Sequence, residues 1–436
     1  MSVTHDNHAA LPVHVTPEYV AAPWWADHMR KRWSLVAGIA AAIAVVGAVL
    51  ALQAGTYVAI NHFMRAYLVG FMFCLGLTTG SMALLMLQHV TGGKWGLVIR
   101  RQLEAGTRNW WLAALMFVPI ALGLKYLYPW AGGMELSFHG EHAFHVRHEY
   151  LNPTMFIGRA ILYFLGWGAF IYFFLKWSPL QDVPQASPEA ANRLRLRFMR
   201  LGGGGLVFYA ITISLAAIDW VMSLDPVWYS TIWGMLYMAG QALHTMAFML
   251  VVLIGLARYE PMKSLLRKTE LHDNGKLLLA FVMLYMYLSF SQFIIIWSGN
   301  LTEEIPWYLA RIRGGWRPVM VGLFLFHFVV PFLLLLNRNL KKHGPRLAAV
   351  AILIIFVRYV DLYWHIVPNF RDAAGWAPPG EAVAGGFSPN LWDLIVPAAM
   401  AATWIALFFY NLTKRPLIPV YHPLVPEILE PSHGAH

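Results

Sequence analysis

Residues 205–230 read G-L-V-F-Y-A-I-T-I-S-L-A-A-I-D-W-V-M-S-L-D-P-V-W-Y-S. With the glycines just before it, this stretch is apolar over about the 20 residues that a bilayer-spanning helix needs. Pro226 stops the run, because it has no N–H to continue a helix. Asp219 lies inside the run, seven residues before Pro226. An acid within an apolar segment is expensive in lipid, so it faces protein or a wet cavity and hints at function. Asp225 stands at the boundary beside Trp220, Trp228 and Tyr229, an aromatic cluster of the kind that marks a membrane–water interface.

The composition extends that reading to the whole chain. Of its 436 residues 58% are hydrophobic and 12% charged. About 25% charged is usual for a soluble domain, so half that fraction points to a membrane protein. The formal charge of +10 would suggest nucleic acid in a soluble protein, but here the placement of Lys and Arg has to be set against topology first. Cys74 is the single cysteine, which excludes an internal disulfide, a CxxCH haem attachment and a four-cysteine iron–sulfur site on this chain. Residues 1–32 are polar and contain His and Pro, so no cleavable signal is expected, and the first apolar run should remain as an anchor.

Ten apolar runs are long enough to span: 33–53, 65–89, 108–128, 154–177, 203–224, 230–257, 276–298, 316–337, 346–367 and 391–413. Lipid leaves open backbone groups without partners, so the fold expected is an all-α integral membrane protein. With the N-terminus placed inside, 23 Lys and Arg fall in or beside inner segments and 8 in or beside outer ones, and Arg358 lies deep within a helix. That bias predicts that both termini are cytoplasmic and accounts for most of the positive charge without nucleic acid. The outer loops differ in character. The loop 125–153 carries His139, Glu141, His142, His145, His148 and Glu149, and the loop 368–390 is rich in Gly and Pro. A docking surface for an external partner and ordinary solvated loops are equally open readings of these loops.

The chain also echoes itself. Asp361 precedes Pro368 by seven residues, as Asp219 precedes Pro226. Gly70, Gly76, Met82 and Ala83 align with Gly234, Gly240, Met246 and Ala247 at a constant offset. This suggests two four-helix bundles, helices 2–5 and 6–9, as parallel repeats with helices 1 and 10 flanking. The divisions are then a cytoplasmic segment 1–32, a first flanking helix and loop 33–64, units 65–229 and 230–390, and a last helix with tail 391–436. Chance similarity between Gly- and Met-rich helices is the competing account.

The ninth helix carries the densest chemistry, R-Y-V-D-L-Y-W-H, with Arg358, Asp361 and His365 at i, i+3 and i+7 on one face. They form either a buried ion pair that fixes packing or part of a proton path with His365 titrating. Tyr285, Ser289 and Gln292 make a polar stripe on the seventh helix. Glu303 and Glu304 follow just outside, as candidates for exchanging protons with a quinone or as simple loop acids. His244 and His327 lie at similar depths; they are either hydrogen-bonded core histidines or the axial ligands of a haem. The histidine-rich outer loop matches no standard zinc spacing, so no metal is expected on this chain. Asp219 has no cation on its own helix, whereas Asp361 has Arg358. Asp219 is therefore expected to be the proton-carrying acid and the Asp361–Arg358 pair the structural one.

Two stretches carry a resemblance. I-D-W-V-M-S-L-D-P-V-W-Y-S-T at 218–231 and S-F-S-Q-F-I-I-I-W-S-G-N-L-T-E-E-I-P-W-Y at 289–308 are similar to those of NrfD/polysulfide-reductase-like membrane subunits. More narrowly, they resemble the two such subunits of bacterial alternative complex III, the second stretch being closer to the F-type (ActF) subunit. The resemblance covers residues 30–415. It implies a place in the bacterial inner membrane, within a quinol:electron-acceptor oxidoreductase of the respiratory chain. In such a complex menaquinol or ubiquinol is oxidised, and haem c and iron–sulfur clusters sit on periplasmic partner subunits. The F-type subunit would pack beside a homologous quinol-oxidising membrane subunit, bind no cofactor alone, and contribute to proton translocation as a half-channel. A direct quinol-binding subunit, a stand-alone secondary transporter on parallel repeats and a di-haem cytochrome remain the alternatives.

Overall fold

The apolar runs fold into ten helical segments: α1 (Trp24–Ala54), α2 (Tyr57–Thr91), α3 (Trp110–Leu122), α4 (Pro153–Trp177), α5 (Pro188–Trp220), α6 (Trp233–Leu256), α7 (Lys268–Gly299), α8 (Arg317–Leu336), α9 (Gly344–Ile366) and α10 (Leu391–Leu412). This computed structural model describes residues 21–54, 57–131, 149–225, 228–370, 387–419 and 421–422. Among them there is no strand, and nine helices are long and apolar enough to cross a bilayer. The chain is an all-α, multi-pass membrane protein.

Two helices form the centre. The apolar window of α2 is buried along its whole length and that of α6 along most of it, whereas α1 shows nearly all of its window outward. A helix that is apolar all round has no solvent face to offer and belongs in the middle of a bundle. α2 and α6 lie directly against each other. A Cβ added at Gly80 of α2 would come within 2.7 Å of the Gln241 carbonyl oxygen of α6, so only glycine allows this crossing. α3 and α5 pack on α2, α7 and α9 pack on α6, and α1 packs chiefly on α10, which in turn covers α2.

Several elements depart from the expected runs, α2 and α7 among them, which begin at Tyr57 and Lys268 and not at 65 and 276. The run 108–128 is not one helix: α3 stops at Gly123, and a separate turn, Leu124–Leu127, follows. Pro119 within α3 removes a backbone donor there, and the 13 residues that remain span about 20 Å, short of the ~30 Å hydrocarbon core. The expected starts at 33 and 203 are too late, because α1 begins at Trp24 and α5 at Pro188. In α1 the charges that argued for a loop pair with one another along the helix, Arg30 and Lys31 with Asp27. Ser187 caps α5 by accepting from the Ala190 N–H at 3.2 Å.

α8 is continuous but irregular. Phe324–Val329 is wound as a π turn between two α-helical pieces. Pro331 lies four residues after His327, so no amide can bond back to the His327 carbonyl in α-helical register. The wider turn accommodates that missing bond, and π turns recur at functional sites.

Candidate functional site

Two clusters, on Asp219 and Asp361, lie toward the end of the bundle opposite the basic loops. The first is Asp219, fully buried on α5. Arg159 of α4 grips it through two parallel hydrogen bonds, Nε to Oδ2 at 2.9 Å and Nη2 to Oδ1 at 2.8 Å. Tyr163, one turn along α4, donates its hydroxyl to Oδ2 at 2.9 Å. Arg159 is itself held by the Tyr150 carbonyl at 3.0 Å and lies 3.8 Å from the Tyr150 ring centroid. Asp219 has no cation beside it on its own helix, as expected, but it is not unpartnered: Arg159 comes from the neighbouring helix, sixty residues earlier in sequence, which removes the ground for ranking Asp219 as the proton-carrying acid.

The second cluster is built on Asp361 of α9. Arg358 donates Nη1 to Asp361 Oδ2 from the same helix, and Tyr285 of α7 donates its hydroxyl to Oδ2 at 2.6 Å. Arg358 Nη1 also donates to the Tyr285 oxygen at 3.0 Å. His365 Nδ1 stands 3.6 Å from Oδ2 and His327 Nδ1 4.0 Å from Oδ1. The shared face expected for Arg358, Asp361 and His365 is thus present, and the π turn of α8 adds His327 to it. Gly240 of α6 makes room: a Cβ there would lie 2.5 Å from the Arg358 guanidinium carbon.

Asp361 differs from Asp219 in what surrounds it. His327 Nε2, His365 Nδ1 and His244 Nε2 are buried with no hydrogen-bond partner among the described residues, and so, two turns beyond Tyr285 on α7, are both ends of the Gln292 amide. Buried polar groups are nearly always satisfied, so these atoms call for water or a proton-bearing neighbour. His244 lies against Phe73 with the rings tilted by 52° and their centroids 4.3 Å apart, and His327 lies against the Tyr285 ring at 4.7 Å. Among the described residues no group of three or more His, Cys, Asp or Glu could hold a metal ion.

Other predicted residues separate from this cluster. Asp225 accepts from the Trp228 N–H at 3.3 Å. Glu303 is exposed and Glu304 half-buried at the start of the short helix Ile305–Ile312. The histidines and glutamate at 139–148 lie outside the described residues.

Several residues went unsuspected. Asp393 of α10 is buried and paired with Arg65 of α2 (Nη2 to Oδ2, 3.0 Å), and Tyr363 donates to Oδ2 at 3.0 Å. This repeats the Arg–Asp–Tyr grouping a third time. Arg311, one of the eight Lys and Arg assigned to outer segments, is buried and reaches the C-terminus of α9. It donates to the carbonyls of Trp364 (3.2 Å) and His365 (2.8 Å) and to Asn369 Oδ1 (2.9 Å), as a cation at a helix C-terminus should. At the basic end Glu104 binds Arg101 at 2.7 Å and accepts from Ser178 at 2.7 Å, and Arg101 also reaches Asp182. Burial works against the Glu104 charge, but Arg101 and Arg100 outweigh it and hold its carboxyl below the usual range. Buried charges in an apolar run were the available signal: Arg159 and Asp393 both stand inside predicted spans.

Compared with known proteins, the chain matches no family model and no curated protein.

Proposed function

We propose that this protein is a membrane subunit of a quinol:electron-acceptor oxidoreductase complex, in which the Asp361 cluster relays protons beside the subunit that oxidises quinol. The observation that carries the reading is the composition of that cluster. One buried carboxylate is within 4.0 Å of two histidines, an arginine and a tyrosine, and both histidines carry a buried nitrogen without a hydrogen-bond partner among the described residues. Such a set can pass a proton between carboxylate, imidazole and bound water. The Asp219–Arg159–Tyr163 set, closed on itself, fits the architectural role instead. The resemblance of residues 218–231 and 289–308 supports the complex, with haem c and iron–sulfur clusters on partner subunits and an inner bacterial membrane, and the positive-inside bias supports cytoplasmic termini.

The relay is tested by Asp361→Asn in the assembled complex. Loss of turnover-linked proton release, with electron transfer to the acceptor retained, is expected. Unchanged proton release overturns it.

A second reading, direct quinol binding by this chain, is favoured by an apolar groove of about 310 Å³ between α2, α5, α6 and α7. Leu87, Met238 and Phe281 line it, together with Tyr209, whose hydroxyl donates to Gln241 at 2.8 Å. A photoreactive quinone that labels Tyr209 or Met238 would establish it.

A further inference from the structure

At the basic end, where α6 finishes and α7 and α9 begin, the surface closes into a pocket of about 240 Å³. Arg258, Arg267 and Lys268 line it, and no acid does. Ile254, Leu266 and Leu271 supply its apolar wall. Gly344, the first residue of α9, keeps it open: a Cβ there would lie 3.3 Å from Ile254 and 3.9 Å from Leu271. No side chain caps the first turn of α9, so that helix adds its positive end to the same place.

Two of these cations, Arg258 and Lys268, differ from several others at this end of the molecule. Arg101 is neutralised by Glu104 and Asp182, Arg30 and Lys31 by Asp27, and Lys276 by Asp273. Arg258 and Lys268 have no acid partner among the described residues. The two nearest acids in sequence are engaged elsewhere. Glu260 accepts from Ser264 at 2.7 Å, and Glu270 accepts from the Arg267 N–H at 3.1 Å as part of the α7 cap.

We propose that this pocket binds the phosphodiester headgroup of an anionic phospholipid in the leaflet at the basic end. Arg258, Arg267 and Lys268 would hold the phosphate, and the glycerol and upper acyl carbons would lie on Ile254, Leu266 and Leu271. Basic pockets between membrane helices on the cytoplasmic side recognise such headgroups. The apolar wall separates this occupant from a free soluble phosphate, which gains nothing from it. The position agrees too, because helix ends lie at headgroup depth.

The test uses the full-length protein in detergent, with phosphatidylglycerol and phosphatidylcholine competing and bound lipid counted by native mass spectrometry. The wild type retains phosphatidylglycerol in preference. Replacing all three cations by Gln lowers that retention roughly tenfold or more. The single exposed change Arg258→Gln gives a graded loss and covers the case in which the triple variant misfolds. Gly344→Leu fills the pocket with every charge kept, and also abolishes the preference. Replacing Arg193, Arg195 and Arg197, exposed on α5, by Gln leaves it intact. Equal retention of both lipids, or an unchanged preference in the triple variant, overturns the proposal. So does displacement of the lipid by inorganic phosphate at matched concentration, which would assign the pocket to a free anion.

Discussion

Arg159 and Asp219 show why a buried charge cannot be judged from its own helix. Their two-pronged contact joins residues sixty apart, and nothing in local spacing announces it. Removing one partner strands the other in an apolar setting, which costs about 3–5 kcal/mol. Thermal unfolding in detergent should therefore show Asp219→Asn and Arg159→Gln each strongly destabilised. The double variant should lose much less than the sum of the two, and simple additivity would break the pairing. By contrast, Arg358, Asp361 and His365 were legible, because their spacing put them on one face. His327 joined them only through an irregular turn. At the opposite end, Glu104 has its carboxyl held below the ordinary value of 4.5. A depressed acid contributes stability that is present above that value and lost as pH falls through its folded value. Acidification below about pH 4.5 should therefore destabilise the wild type more steeply than Glu104→Gln. Parallel curves would show that the Glu104–Arg101 pair carries no such linkage.

Among the elements, helix existence was read well and helix continuity poorly. Hydropathy registers an apolar run, but it does not register where the backbone ladder fails. That is why 108–128 looked whole although α3 ends at Gly123, and why the π turn before Pro331 passed unnoticed. The early starts of α1 and α5 have the opposite cause: charged residues that resemble a loop in composition pair or face outward on a continuing helix. The glycines separate on similar grounds. Gly80 faces the α6 backbone, whereas Gly203 has nothing within 4 Å. Gly80→Val should cost about 1–3 kcal/mol through forced separation of α2 and α6. Gly203→Val should change stability little. Equal effects of the two in the same unfolding assay would show that the α2–α6 crossing does not depend on that close approach.

For the whole molecule, the positive-inside bias gives a topology that can be probed directly. Cys74 is buried and should stay silent toward impermeant thiol reagents. A cysteine at exposed Thr302 should react in intact cells, and one at exposed Ser264 only after the membrane is opened. The reverse pattern would invert the chain and move the lipid pocket to the other leaflet. The matched helices of the sequence echo, α2 and α6, prove to be the two central ones, yet their aligned glycines meet different neighbours. Gly76 lies near Gln241 and His244, and Gly240 lies against Arg358. The central claim concerns what this chain belongs to, and it is tested most directly by identifying what stays bound when the protein is extracted in mild detergent. The account predicts iron–sulfur and c-type haem subunits together with a second, homologous membrane subunit, detected by mass spectrometry and by a haem spectrum. A pure, monodisperse chain that carries lipid alone would contradict it.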